Sequence, residues 1–149
     1  MSFVLAFERT HRVLWAKATG VIATQDLIDL DMASIAFLAH EEKADGPPIR
    51  GLYDYSDMAA IAVPQNKAAM RGSRSAIVRG QRVMVKSRSL ACGIVDTYVQ
   101  SQRLAGHDLL AVVDSLDEAH ALLGLDAPRF EPVSEHLLAI DRIDRDLFQ

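Results

Sequence analysis

Two short apolar runs near the start of the chain are separated by a polar connection. Ser2–Phe7 and Val13–Ala18 are rich in Val, Leu, Phe and Trp, and the polar residues 8–11 lie between them. Short runs of this composition on either side of a polar connection are typical of two paired strands. The pattern therefore predicts an antiparallel hairpin at the amino end.

Helical and strand-like patterns then follow each other along the chain. Apolar residues recur at helical spacing after Thr24, a candidate N-cap, and continue to near Glu41. Pro64 suits the first turn of a helix that we expect to end at Gly80, with a weak point at Gly72. The other predicted elements are the strands Ile49–Tyr55, Arg82–Val85 and Leu109–Val113, and helices from Ser87 or Ser89 to near Leu104 and from Ser115 to Gly124. This order predicts an α/β fold with a mixed sheet of about five strands, in which alternating helices and strands follow the hairpin.

Two helix starts carry capping signals near the end of the chain. From Ser115 to Glu118 the sequence is a capping box, in which the hydroxyl and the carboxylate each satisfy a free backbone N–H. Ser134 is a candidate cap for a last helix. The apolar stripe of that helix consists of Leu137, Ile140, Ile143 and Leu147. We expect residues 1–127 to form one domain and residues 128–149 a tail helix that docks on the core, on a second copy or on a partner.

Composition restricts the class of protein more than its activity. The chain has 149 residues, of which 50% are hydrophobic and 24% charged, as in a soluble single domain. A single cysteine, Cys92, excludes an internal disulfide. No apolar run reaches the roughly 18 residues of a membrane span, and a net charge of −4 offers no basic field for nucleic acid. We therefore expect a cytoplasmic protein with no cofactor, no membrane span and no nucleic-acid partner.

The charge is distributed unevenly along the chain. Residues 58–95 contain no Asp or Glu, and their seven basic residues give that stretch a charge of +7. Because the whole chain has a net charge of −4, the remaining residues together carry a charge of −11. A molecule polarised in this way can steer an anionic ligand or an acidic partner to one face, although charge runs are also common on solvated helix faces.

Several segments resemble the STAS-like (SpoIIAA-like) family, which is named after sulfate transporters and anti-sigma-factor antagonists. The resemblance extends from about Val4 to Leu125. It is carried by Val13–Gly20 followed by Thr24 and Asp26–Leu27, and by Gly51–Ser56, Arg82–Val85, Leu90–Gly93 and Ser115–Leu123. It implies a mixed sheet with helices packed largely on one side. It also implies binding rather than turnover, through contact with kinase-like anti-sigma factors, regulation of a transporter, or an apolar ligand.

The resemblance also points to one candidate for modification. Anti-sigma-factor antagonists carry a phosphorylated serine in a small Asp-Ser-Ser-Gly-like stretch after the third strand. The corresponding stretch here runs from Ser56 to Pro64 and contains no Ser-Gly pair. Because Ser56 is the only hydroxyl between the third strand and Pro64, it is the candidate phosphoacceptor. The alternative is a serine at the end of a strand that bonds to its local backbone.

An uncharged apolar run, Met58–Val63, occupies a place where the pattern predicts a loop. Loops are usually polar because water must solvate their backbone. This run therefore either packs as core or dimer contact, or lines a groove for a ligand or partner. The predicted binding residues are the apolar Met58, Ile61 and Val63, the acidic Asp54 and Asp57, and the basic Arg71 and Arg74.

The sequence contains no motif that names a reaction. The five histidines lack the spacing of metal ligands, Cys92 lies in an apolar helical segment, and neither a P-loop nor a nucleophile elbow occurs. We therefore predict no catalytic residue and no metal.

Three hypotheses follow, of which the first is favoured. The first is a regulatory module that contacts a protein partner or a second copy through Ser56–Val63 and the basic helix. The second is a carrier or sensor of a small amphipathic anion, such as a lipid or fatty acid, held by Arg71 or Arg74. The third is a small enzyme that uses Asp54 or Asp57.

Overall fold

A six-stranded mixed sheet forms the centre of the fold. The computed structural model describes residues 3–42, 46–87, 93–107 and 110–133. The helices and strands are β1 (Phe3–Glu8), β2 (Val13–Ala18), β3 (Gly20–Ala23), α1 (Thr24–Glu41), β4 (Arg50–Asp54), β5 (Met58–Ala62), α2 (Gln65–Ser73), β6 (Arg82–Val85), α3 (Gly93–Leu104), β7 (Leu110–Val113), α4 (Leu116–Leu123) and β8 (Glu131–Pro132). The predicted α/β class and the amino-terminal hairpin are confirmed.

The strand order of the main sheet is β7-β6-β4-β2-β1-β8. The strands β2, β4, β6 and β7 are parallel, whereas β1 runs antiparallel to both β2 and β8. Helical crossovers connect the parallel strands, as parallel pairing requires. The short β8 adds an edge to the sheet beside β1. Residues 134–149, where the tail helix is predicted, lie outside the described residues.

Side chains alternate between the two faces of the sheet and form two apolar clusters. On one face, Leu14 and Met84 belong to the cluster that includes buried residues of α1, α2 and α3. On the other face, their strand neighbours Val13 and Val83 pack with Leu123 of α4. Three helices therefore cover one face and α4 covers the other.

The prediction of a loop over Ser56–Val63 is wrong at Met58–Ala62. These residues form β5, which pairs in parallel with β3 to make a separate two-stranded sheet. Pairing with β3 satisfies the backbone N–H and C=O groups on one side of the strand, so the run depends less on water for its hydrogen bonds than a loop would. A short apolar run without alternation does not reveal its own conformation in sequence, and β3 is shorter still.

The helix α2 ends at Ser73, well before the predicted end at Gly80. Arg74 is already extended, with φ −81° and ψ 154°. The N–H of Gly80 donates to the carbonyl of Ile49 at 3.1 Å, and a Cβ at this glycine would lie 2.6 Å from the same oxygen. The chain leaves the helix because it has to bring Gly80 against the backbone beside β4.

Two other helix starts differ from the prediction or fall outside the description. Ala23, rather than Thr24, occupies the N-cap of α1, and the Asp26 carboxylate accepts the N–H of Ala23 at 2.8 Å. The helix α3 is described from Gly93. Of its two predicted starts, Ser89 lies outside the described residues, whereas Ser87 is buried outside the helix and its hydroxyl donates to the Met58 carbonyl at 3.3 Å.

Ser115→Ala is expected to lower the free energy of unfolding by about 1 kcal/mol, because it removes an N-cap. The Ser115 hydroxyl accepts the N–H of Glu118 at 3.1 Å, which is the serine half of the predicted capping box. Urea unfolding measures the change. Ser115→Asp is the control, since aspartate also caps and should stay within about 0.5 kcal/mol of wild type. Equal stability of the alanine variant would show that this cap contributes nothing.

Candidate ligand-binding site

A cavity of about 430 Å³ lies between the sheet and the helices α1, α2 and α3. Its apolar wall includes Leu27, Ile35, Ile61, Val63, Met84 and Leu110. Ligand pockets are commonly apolar clefts of about 300–1,000 Å³ with a few polar groups that orient the ligand. The cavity has both the size and the lining of such a site.

An ion pair between Asp31 of α1 and Arg71 of α2 forms part of the cavity wall. Arg71 Nη2 donates to Asp31 Oδ1 at 2.6 Å, and Nη1 donates to Oδ2. Burial lowers the pKa of Arg71, but the hydrogen bond and the charge of Asp31 outweigh this effect and raise the pKa above its ordinary value. Arg71 therefore lines the cavity as a charged group that Asp31 already neutralises.

Tyr53 and Tyr55 contribute two phenol groups to the cavity. They stand two positions apart, so they share one face of the chain as it runs out of β4. Burial raises the pKa of both phenols above their ordinary range. Both therefore stay protonated at neutral pH, and a protonated phenol is able to donate a hydrogen bond to a bound molecule.

Arg82 of β6 and Gln102 of α3 form a buried polar contact in the cavity wall. Arg82 Nη2 donates to Gln102 Oε1 at 2.7 Å. The Gln102 amide in turn donates to the carbonyls of Gly72 at 3.1 Å and Arg74 at 3.4 Å. This network fixes the end of α2 against α3 and holds the Arg82 guanidinium in place.

A second cavity, of about 370 Å³, adjoins the first. The two share Ser75, Ala76 and Arg82 in their linings. The second cavity is also lined by Arg79 and His107. The described residues that line it include no acidic side chain, whereas Asp31 lines the first cavity, and Arg82 stands at the boundary between the two.

The predicted binding residues fall into two groups. Ile61, Val63, Arg71 and Arg74 line the cavity. Asp54, Asp57 and Met58 lie at or just beyond the carboxyl end of β4 and do not line it. Met58 is buried in the core rather than offered to a ligand, and its run forms β5 instead of a loop.

Ser56 is held in a local turn with Asp54. The Ser56 hydroxyl donates to Asp54 Oδ1 at 2.5 Å, and the Ser56 N–H donates to the same oxygen at 3.0 Å. Asp54 is fully buried, and its Oδ2 has no hydrogen-bond partner among the described residues. The geometry corresponds to the local bonding that serines often adopt at strand ends, and phosphorylation of Ser56 stays a prediction.

Asp57 is exposed and forms an ion pair with Lys17, whose Nζ lies 2.8 Å from Asp57 Oδ2. The hydrogen bond to Asp57 raises the pKa of Lys17. Exposed ion pairs of this kind contribute little to stability. Asp57 therefore stands as a surface contact of β2, separate from the cavity.

Arg82, Tyr98 and Gln102 are among the cavity residues that the sequence reasoning does not predict. A signal for them is present in the pattern. Ile94, Tyr98 and Gln102 recur every four residues, so they share one face of α3, and Gln102 is a polar residue in an otherwise apolar stripe. Arg82 is likewise a charged residue in a strand with parallel neighbours on both sides, where apolar side chains are usual. A polar side chain at a position where the pattern is otherwise apolar is therefore the sequence signal for this site.

Residues 3–42, 46–87, 93–107 and 110–133 contain neither a group of metal ligands nor a membrane-spanning helix. No group of three His, Cys, Asp or Glu side chains is placed to hold a metal ion. No helix in these ranges is both long and apolar enough to cross a membrane.

Comparison with models of known protein families gives no match for this chain, and comparison with curated proteins gives none either.

Proposed function

We propose that the protein is a non-enzymatic, STAS-like binding module whose site is the cavity between the sheet and α1–α3. The observation that carries the proposal is the cavity itself, about 430 Å³ and largely apolar, with a few polar groups facing it. Cavities of this kind bury most of a small ligand and orient it through those polar groups. The proposal includes a cytoplasmic, regulatory role.

The residues at the surface of α1 support entry of an apolar molecule. Ile28 and Ile35 line the cavity and are also among the large apolar side chains that remain exposed. They lie seven positions apart, hence on one face of the helix. Exposed apolar side chains next to a cavity commonly mark a binding site.

Contact with a protein partner or a second copy is the second candidate function. The small sheet of β3 and β5 favours it, because Val21 is 56% exposed and Ala59 and Ala62 are exposed beside it. The same strand β5 contributes Ile61 to the cavity wall. Occupation of the cavity is thus linked through one strand to the surface that a partner would contact.

Native mass spectrometry of freshly purified protein tests the two candidates. The ligand proposal expects a small molecule that stays bound under gentle conditions and is released on denaturation. A stoichiometric protein partner, or a stable homo-oligomer with empty cavities, would favour the second candidate instead. A bare monomer that also fails to bind added decanol in a calorimetric titration would contradict both.

A further inference from the structure

We infer that the ligand is an amphipathic anion whose carboxylate or phosphate group binds Arg82, at the boundary between the two cavities. This inference rests on the proposed binding function and names the chemical class of its ligand. The apolar part would occupy the larger cavity, and the charged group would face the smaller, basic one.

The first observation is a buried cation with little to balance it. Arg82 is 3% exposed, and within the described part of the chain its side chain has one hydrogen bond, from Nη2 to Gln102 Oε1. No carboxylate among the described residues forms an ion pair with it. A buried charge is costly unless an opposite charge and hydrogen bonds compensate it. A bound anion would supply both.

Arg71 differs from Arg82 because it has a carboxylate partner. It lines the same cavity, but Asp31 neutralises it through two hydrogen bonds. An anion at Arg71 would have to displace Asp31 or share the guanidinium with it. Arg74 also lines the cavity but is exposed, where water already solvates its charge. Arg82 is therefore the cavity arginine that gains most from a ligand anion.

The second observation is the composition of the smaller cavity. Arg79, Arg82, His107 and Ser75 contribute donor groups to its lining, and the described residues that line it include no acidic side chain. Guanidinium groups bind carboxylate and phosphate through paired N–H donors. Because Ser75, Ala76 and Arg82 line both cavities, one molecule that extends past Arg82 would touch an apolar wall and a basic wall.

The test uses three probes that share an alkyl chain: decanoate, decyl phosphate and decanol. Calorimetry should give at least one anionic probe an affinity about tenfold or more above that of decanol, since hydrogen bonds to charged groups have this strength. The better anionic probe identifies the head group. Arg82→Met should abolish the advantage of the anionic probes over decanol, whereas Arg82→Lys should keep part of it.

Two more variants keep the result interpretable if Arg82→Met does not fold. Arg79→Gln changes an exposed residue of the smaller cavity and should weaken the anionic probes severalfold without affecting decanol. Arg103→Gln changes an exposed arginine of α3 that lines neither cavity and should leave all three probes unaffected. Loss of anion binding in Arg103→Gln but not in Arg79→Gln would overturn the inference.

The outcomes separate this inference from the proposed function. Equal affinity for all three probes, or an anion advantage that persists in Arg82→Met, overturns the anion site but leaves the cavity as a ligand site. Failure of all three probes to bind the wild-type protein contradicts the proposed function as well.

Discussion

Gly72→Ala is expected to lower the free energy of unfolding by about 2 kcal/mol, within the usual cost of overpacking a close contact. A Cβ at this position would lie 2.5 Å from the carbonyl oxygen of Tyr98 and 2.7 Å from Cβ of Ser101. The first of these atoms is backbone of α3, so it cannot turn aside as a side-chain end would. The helices α2 and α3 would have to separate.

Separation of these helices should also affect the binding site. Gly72 contributes the carbonyl that accepts the Gln102 amide at 3.1 Å, and Gln102 holds Arg82. We therefore expect Gly72→Ala to weaken binding of an anionic probe in addition to lowering stability. Urea unfolding and calorimetry measure the two effects.

Ser73→Ala is the matched control for this substitution. Ser73 is the next residue of α2, is exposed, and bonds locally to the Met70 carbonyl. An exposed change of this kind should alter the free energy of unfolding by less than about 0.5 kcal/mol. Equal stability of the Gly72→Ala and Ser73→Ala variants would contradict the close approach of α2 and α3.

The elements that sequence predicts well are those with a strong local signal. The hairpin of β1 and β2 has two β-rich runs around a polar turn, and the helix α4 has a serine cap and Gly124 in the left-handed conformation at its end, with φ 69°. These signals act over a few residues, so they depend little on contacts elsewhere in the chain.

The elements that sequence misses depend on contacts elsewhere in the chain. The strand β5 exists because β3 offers it a partner, and neither strand has a pattern that distinguishes it from loop. The early end of α2 follows from the approach of Gly80 to Ile49. Long-range packing decides both, and local propensity is a weak guide to such cases.

The candidate site could be predicted only in part for the same reason. Ile61, Val63, Arg71 and Arg74 stand out because an apolar run and a basic stretch mark them in sequence. The pairing of Arg71 with Asp31, 40 positions away, does not show in any local pattern. A cavity arises where several packed elements leave space between them unfilled. Composition does not encode that arrangement.

Ala68→Leu should reduce the affinity for decanol at least about tenfold, because it fills the proposed site. Ala68 lies on α2, is buried and lines the cavity. Added apolar atoms that enter an existing void gain contacts, so the free energy of unfolding should stay the same or rise. Ile61→Phe, which extends from β5 into the same cavity, should act in the same direction.

Ala121→Leu is the control that separates filling of the cavity from a general effect of the substitution. Ala121 is an exposed residue of α4, on the opposite face of the sheet from the cavity. Decanol should bind this variant with the affinity of the wild-type protein.

The affinity of decanol for Ala68→Leu, measured by calorimetry beside wild type and Ala121→Leu, tests most directly whether the cavity is the binding site. Loss of binding in Ala68→Leu alone, with its stability preserved, is the expected result. Undiminished binding in a folded Ala68→Leu variant would contradict the assignment of the cavity as the ligand site.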